Sequence, residues 1–462
     1  MGALLLTVSI QAMPDSLAGY QPMDYKVQVI IKPRIGYLEA NAGVRLKKSG
    51  DPGPTLSFLL HETFAVESLS LNGLEIPYSS TRIPSDPMRP ACQRLDIQIP
   101  EVQRNSPRLE LYVRYGGALK SLPQWGKQKR GKPSMDDAIG PKRVELAIYS
   151  AWYPQWPSAR GFSLDLEVIL PADWKLVASG NHESSRIQTN SLYSRWVSKS
   201  DSDIVVLASP DFRELQVPAG KDFGTVSLFH TGLPQDFIHR EALEMVSTLR
   251  RFKKWLGLPG RTASTLRHAY SPRELGQGAY SRPGLIVTSE GRIRSALKEK
   301  PGLSFQFGNS HELAHFWWNF GRGQGDWINE TFAEYFAILS MELAGDPLDT
   351  AVRLRKFRSQ VMNLPDDAPP MSRVPMDNTG HNWIIRYRQG ALMLHRFRER
   401  MGDAAFLEAC RRFYLEFRDA GAETSDFRRF WSAEDPLDAT LVNIWLDNPR
   451  GGVSRKNPGD SE

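Results

Sequence analysis

Hydrophobic and polar residues alternate through the first half of the chain. Apolar side chains recur at every second position in three runs, at residues 25–31, 109–115 and 162–168. A period of two is typical of strands with one buried face, and Gly/Pro clusters such as that at 50–54 separate the runs as turns do. The pattern therefore predicts a large antiparallel β domain over residues 20–215, after an apolar N-terminal segment at 1–19.

The pattern changes near residue 216. A predicted strand at 225–230 precedes a segment whose apolar residues recur every three or four positions, which is typical of an amphipathic helix. These residues are Leu243, Val246, Leu249, Phe252 and Leu256. Another strand is predicted at 284–288, and helical patterns dominate after residue 345. We therefore predict an α+β protein whose second domain, 216–446, combines a mixed sheet with helices and ends in a flexible tail at 447–462.

Composition adds few constraints. The chain has 462 residues, 41% of them hydrophobic, and a formal net charge of +6, which fits a folded protein of two or three domains. Its densest basic run, at 127–132, has no aromatic residue for base stacking, so we expect no nucleic-acid partner. No segment reaches the roughly 18 apolar residues of a membrane-spanning helix. Residues 2–12 fit either a short signal segment or a strand, so localisation stays open, as does the oligomeric state.

Candidate chemistry lies in the sequence His-Glu-Leu-Ala-His at 311–315. On a helix, His311 and His315 lie one turn apart on one face and can bind one metal ion. We expect Ser310 to cap a helix that begins at His311. Glu312, between the two histidines, is a candidate general base. Cys92 and Cys410, the only cysteines, fall in different predicted domains and offer no thiolate site.

A third ligand is expected from the acidic segment at 329–335. Glu330 and Glu334 lie one helical turn apart, so helix geometry alone allows either. Two histidines and one carboxylate form a zinc site with one open coordination position, which suits catalysis.

The motifs resemble those of the zinc aminopeptidase family of the gluzincin clan. In that family eighteen residues separate the first motif from the third ligand, a spacing that fits Glu334 here. The ligand, however, is the glutamate of Asn-Glu-Gly-Phe-Ala, and the segment Asn-Glu-Thr-Phe-Ala at 329–333 matches it with Glu330. The resemblance therefore implies Glu330 as the ligand, with a connecting loop four residues shorter. Glu334 is then expected to accept the outer N–H of a ligating histidine.

The resemblance extends to Tyr-Arg-Gln-Gly-Ala at 387–391, which is similar to the family's Tyr-x-Lys-Gly-Ala. It implies that the Tyr387 hydroxyl stabilises the oxyanion and that Gln389 stands where the family has lysine. It further implies a β saddle or sandwich followed by a thermolysin-like zinc peptidase domain, one zinc ion and a peptide substrate. The chain resembles a short form without the large helical C-terminal domain, which predicts an open cleft that accepts longer peptides.

The substrate loop matches less well. The family's Gly-Ala-Met-Glu-Asn segment corresponds to four residues expected to align the substrate, namely Gly278, Ala279, Tyr280 and Ser281. Ser281 stands where the family's glutamate binds the free amino terminus, and Arg282 follows. A hydroxyl cannot balance an ammonium, and a guanidinium repels it. Glu145 is either a replacement anchor or an exposed strand residue.

These observations predict a zinc metallopeptidase of the aminopeptidase type. Three alternatives stay open: an endopeptidase, another hydrolase that uses the same zinc site, and a non-catalytic zinc-holding module that binds peptides.

Overall fold

A computed structural model of the chain describes residues 19–51, 53–84, 91–119, 138–156, 161–260, 265–273, 279–344, 347–376 and 380–453. The basic run at 127–132, the N-terminal segment up to residue 18 and Gly278 lie outside these ranges. The first part of the chain contains fifteen described strands: β1 Tyr20–Lys32, β2 Tyr37–Lys48, β3 Thr55–His61, β4 Phe64–Leu71, β5 Leu74–Glu75, β6 Tyr78–Ile83, β7 Cys92–Gln98, β8 Arg108–Ala118, β9 Ala138–Gly140, β10 Arg143–Leu146, β11 Phe162–Pro171, β12 Lys175–Ala178, β13 Asn181–Gln188, β14 Ser191–Asp201 and β15 Val206–Ser209.

The second part combines strands with helices. Its described strands are β16 Arg213–Gly220, β17 Gly224–His230, β18 Thr265–Ser271, β19 Ala279–Arg282 and β20 Leu285–Ser289. Its described α-helices are α1 Gln235–Leu256, α2 Glu290–Glu299, α3 Gln306–Ala314, α4 Trp327–Leu343, α5 Pro347–Met362, α6 Gly390–Met401, α7 Asp403–Phe417, α8 Thr424–Trp431 and α9 Ala439–Asp447. The α+β class is thus confirmed. None of the described helices is both long and apolar enough to cross a membrane.

The alternating runs form the buried face of an eight-stranded sheet with the order β13-β14-β11-β1-β2-β8-β4-β5. Along β1, the alternating residues Tyr25, Val27, Val29 and Ile31 are at most 2% exposed. The sheet is antiparallel except that β1 pairs with β11 in parallel. The predicted strands are confirmed, and the parallel pair arises because the chain returns to β1 after an excursion through nine other strands.

A five-stranded sheet joins the two parts of the fold, with the order β16-β17-β18-β20-β19. Alternate residues of β20 face different cores: Leu285 and Val287 pack with the β domain, whereas Ile286 packs with the helices. The predicted domain boundary after residue 215 falls inside β16, which pairs with β17. We therefore propose a boundary between Ser209 and Arg213, with the β domain before it and the catalytic domain after it.

One residue of the predicted amphipathic helix is not buried. Leu243 is 50% exposed because the buried face of α1 runs through neighbouring positions such as Ala242 and Val246.

The chain after α9 is held to the fold up to its last described residue. In this segment, Nη2 of Arg450 donates to the carbonyl of Leu364 at 2.6 Å. The tail predicted from residue 447 is therefore packed against the fold over residues 448–453, and 454–462 lie outside the described residues.

Candidate metal centre

The helix that carries the histidines begins earlier than the sequence indicates. α3 starts at Gln306, so Ser310 is an internal, fully buried residue whose hydroxyl lies 3.3 Å from that of Thr248. The prediction that Ser310 caps this helix is wrong. Near the start of the helix, the buried carboxylate of Glu241 from α1 accepts from the Phe305 N–H at 3.5 Å and from the Asn309 side-chain amide. Burial raises the pKa of Glu241 to about 7.

Three side-chain atoms converge on one point, one from α3, one from His315 directly after α3, and one from α4. The Nε2 atoms of His311 and His315 lie 3.2 Å apart, and Oε2 of Glu330 lies 3.4 and 3.5 Å from them. Four-coordinate zinc with bonds of 2.0–2.1 Å spaces its ligand atoms about 3.3–3.4 Å apart. The three atoms therefore have the spacing of three corners of a tetrahedral metal site.

The outer nitrogens of both imidazoles lie close to oxygen atoms. Nδ1 of His311 lies 2.9 Å from Oε2 of Glu334, and Nδ1 of His315 lies 3.1 Å from the carbonyl oxygen of Trp318. A carbonyl oxygen only accepts, so His315 carries its proton on Nδ1, and the carboxylate favours the same tautomer in His311. Both Nε2 lone pairs are thereby directed to the convergence point. Among the two candidate carboxylates, Glu330 faces the inner nitrogens and Glu334 an outer one.

Glu330 has a buried oxygen that lacks a hydrogen-bond donor. Its Oε2 makes no hydrogen bond although the atom is inaccessible to solvent. A buried ionised oxygen without a donor is costly unless a cation neutralises it. The residues present therefore fit a bound metal ion.

Glu312 has an environment that suits proton transfer. Burial raises its pKa, while the imidazoles of His311 and His315 partly oppose that shift. A carboxylate with a raised pKa is a stronger base than an ordinary glutamate at neutral pH.

Tyr387 lies on a six-residue π-helical turn, Ile384–Gln389, that leads into α6. Its ring stands parallel to the His311 imidazole, with an interplanar angle of 5° and centroids 5.6 Å apart. Such wide turns are rare and occur often at functional sites. The sequence indicated a helix start here, and the structure brings the tyrosine ring beside the His311 imidazole.

Gly390 allows the turn to pass close to α4. A Cβ atom at this position would lie 1.9 Å from Oγ1 of Thr331. Thr331 is fully buried, and its hydroxyl donates to the carbonyl of Arg386 at 2.7 Å, so it has no space to move away. This contact gives a structural reason for glycine beside the tyrosine motif.

We expect Gly390→Ala to destabilise the protein by about 1–3 kcal/mol, because the added methyl group overpacks the contact with Thr331. Urea unfolding of the purified variant measures this free energy. Gly308→Ala is the matched control: its Cβ meets nothing within 4 Å, and the substitution in α3 should be stabilising, by about 0.4–1 kcal/mol. Equal stability of the two variants would contradict the prediction.

A short loop precedes α4, and Asn329 holds it in place. The Asn329 side chain accepts from the Gly321 N–H at 2.8 Å and donates to the Gly321 carbonyl at 3.2 Å. Gly321 has no space for a Cβ, which would lie 2.4 Å from the carbonyl oxygen of Gly325. Gly321 and Gly325 thus allow close backbone contacts in the connection before α4, which the sequence pattern did not indicate.

The predicted substrate loop forms the edge of the five-stranded sheet. β19, which contains Ala279, Tyr280 and Ser281, pairs only with β20 among the described strands. The Tyr280 side chain is 5% exposed and faces the β domain, where its hydroxyl lies 3.5 Å from Glu145. Ser281 lies on the opposite side and lines a pocket together with His315. Of the described side chains in this loop, Ser281 thus shares a pocket with His315.

Glu145 is not exposed, and its carboxylate is not free to anchor the amino terminus of a substrate. It is fully buried, lies 3.4 Å from Nη1 of Arg273 and accepts from the Ser271 hydroxyl. The expectation of an exposed strand residue is wrong, because β10 lies inside a four-stranded sheet against the end of β18. The carboxylate joins the two parts of the fold, and its oxygens are already occupied.

The Arg282 guanidinium is paired with an acid. Its Nε donates to the fully buried Asp203 at 2.8 Å, and its Nη2 donates to the Tyr149 hydroxyl at 3.2 Å. The predicted repulsion of a substrate ammonium is therefore weaker than the sequence indicated, since Asp203 compensates the charge.

Several solved structures share this fold. An M1 zinc metallopeptidase from Deinococcus radiodurans, in a mutant form bound to a Tyr-Ser-Ala substrate, superposes with a TM-score of 0.73 at 18% identity over 96% of this chain and 97% of its own. Another structure of an M1 zinc metallopeptidase from this organism gives 0.71 at 19% identity over 93% and 95%. A two-domain M1 zinc metallopeptidase mutant bound to L-tryptophan gives 0.72 at 17% identity over 96% and 97%. No protein-family model matches the sequence, and no curated protein does.

Proposed function

We propose that this chain is a zinc metallopeptidase that hydrolyses peptide bonds and holds one zinc ion through His311, His315 and Glu330. The observation that carries the proposal is the buried Oε2 of Glu330, which lacks a donor and lies 3.4 and 3.5 Å from two imidazole nitrogens. The fold shared with M1 zinc metallopeptidases adds support.

In this proposal each neighbouring residue has a defined task. Zinc, when bound, acts as a Lewis acid on the scissile carbonyl and activates water. Glu312 accepts the proton of the attacking water and transfers it to the leaving amine. The Tyr387 hydroxyl donates to the developing oxyanion. The backbone of Ala279 in β19 aligns an extended substrate along the edge of the sheet. Gly278, expected to share this role, lies outside the described residues.

A second candidate function, endopeptidase action, is favoured by the substrate edge. An aminopeptidase needs a carboxylate near the substrate's amino terminus, but position 281 carries a hydroxyl, and Glu145 is bound by Arg273 and Ser271. We therefore propose a peptidase of aminopeptidase-like architecture. Identification of its cleavage products decides whether it cuts at the amino terminus of a peptide or at internal bonds.

A peptide-library digest followed by mass spectrometry tests both points. We expect cleavage that a chelator abolishes and added zinc restores. N-acetylated copies of the same peptides are the matched substrates: loss of cleavage on acetylation indicates an aminopeptidase, and retained internal cleavage an endopeptidase. A zinc-loaded protein that cleaves nothing in the library would contradict the peptidase proposal.

Replacing the tyrosine should affect the chemical step. We expect Tyr387→Phe to lower kcat by about 10²–10³-fold with little change in KM, since one oxyanion donor is lost. Steady-state kinetics on a cleaved library peptide measures this. Tyr335→Phe is the control, because its hydroxyl contacts His395 at 3.2 Å instead of the proposed reaction centre. Unchanged kcat in Tyr387→Phe would remove the tyrosine from the mechanism.

A further inference from the structure

Glu334 lies between His311 and an arginine. Its side chain is 3% exposed, and Oε2 lies 2.9 Å from Nδ1 of His311. The other oxygen, Oε1, contacts Nη1 of Arg388. The carboxylate therefore cannot rotate about its own axis without losing one of the two contacts.

Aromatic rings hold Arg388 in turn. Its guanidinium carbon lies 4.2 Å from the ring centroid of Phe357 and 5.4 Å from that of Trp383. A planar guanidinium stacks on such rings more favourably than an ammonium does. Burial lowers the pKa of Arg388 to about 10, so the side chain remains charged at neutral pH. Glu334 thus has a fixed positive charge behind it.

The π-helical turn accounts for this arrangement. Tyr387 and Arg388 are consecutive residues, yet both act on the same histidine: the tyrosine ring is parallel to the His311 imidazole, and the arginine contacts its carboxylate partner. A single turn therefore constrains the imidazole from its ring face and from its outer nitrogen.

We propose that Arg388 is a positioning residue of the metal centre, which fixes Glu334 so that the carboxylate orients His311 with Nε2 toward the ion. The inference rests on the zinc site of the proposed function. An imidazole held in one orientation binds metal more tightly than one that must be ordered on binding, and the loss of a group that orients a ligand typically costs about 10–100-fold in metal affinity.

Zinc affinity, measured by competition with a chromophoric chelator, tests the inference without reference to catalysis. We expect Arg388→Met and Glu334→Gln each to weaken zinc binding about 10–100-fold. The double variant should bind zinc no more weakly than the weaker single variant, because both substitutions break the same chain of contacts. If each substitution instead loosened the fold in general, the two single-variant losses of zinc affinity would multiply in the double variant. Should Arg388→Met fail to fold, Arg388→Lys replaces it in the same comparison.

Arg353→Met is the matched control. The Arg353 guanidinium also stacks on a ring, 4.0 Å from the Phe307 centroid, and pairs with Asp349 at 2.9 Å. It lacks a contact to Glu334 in the described structure, so we expect zinc affinity equal to that of the unaltered protein.

Two outcomes overturn the inference alone: a folded Arg388→Met protein that binds zinc as tightly as the unaltered chain, or a double variant whose loss equals the product of the single losses. Failure of the unaltered chain to bind zinc would overturn the proposed function as well. The two failures are therefore distinguishable in one experiment.

Discussion

Glu312→Gln should lower peptide cleavage by about 10²–10⁴-fold, the usual contribution of general acid–base catalysis, while the protein keeps its zinc. Glutamine has the size of glutamate but cannot accept the proton of water at neutral pH. The three proposed ligands are untouched, so zinc content should stay unchanged. Steady-state kinetics and metal analysis on the same preparation measure both quantities.

Glu408→Gln provides the control for this experiment. Glu408 is an exposed residue of α7 that faces Arg411 at 3.9 Å, and its replacement should change neither activity nor zinc content. Full activity in Glu312→Gln would show that another group is the base. An unaltered protein that holds zinc but shows no turnover would instead favour a peptide-binding module.

Glu330→Gln should remove zinc more completely than any other single carboxylate substitution in the site. It replaces the charged ligand with a neutral amide, whereas Glu334→Gln removes only an orienting contact, for which the expected loss is about 10–100-fold. We expect Glu330→Gln to weaken zinc binding by more than about 100-fold, beyond that range. Chelator competition on the two variants, prepared in parallel, gives the comparison.

Thermal unfolding provides an independent reading of the same prediction. A ligand that binds only the folded state raises the unfolding temperature, and at a given concentration the rise grows with the logarithm of its affinity. Added zinc should therefore stabilise the unaltered protein and Glu334→Gln at sufficient concentration, and stabilise Glu330→Gln much less. A larger loss of zinc in Glu334→Gln than in Glu330→Gln would reverse the two roles.

Local periodicity was enough to predict much of the fold. The alternation at residues 25–31 predicted a strand because successive side chains point to opposite faces, and it lies within β1. The spacing of His311 and His315 likewise predicted a shared face, since one helical turn brings residues four apart together. Both patterns depend only on backbone geometry over a few residues.

Burial and charge pairing were harder to predict. Glu145 was expected to be either exposed or an anchor, and it is fully buried against Arg273, 128 positions along the chain. Arg282 was expected to repel a substrate amine, but Asp203 of the β domain pairs with it. A local sequence pattern does not indicate partners so far apart along the chain, because the packing of two domains brings them together.

By itself, the sequence determined the α+β class, the helix-borne histidines and the two carboxylates from which a third ligand could come. Only the tertiary structure decided which carboxylate faces the inner nitrogens. Glu330 and Glu334 share one face of α4, and the way α4 crosses α3 determines which of the two carboxylates meets those nitrogens. It also brought Arg388 onto Glu334 through a π-helical turn that no local pattern indicated. The physical reason is that helical periodicity sets which side chains share a face, whereas the crossing of helices sets which of their atoms meet.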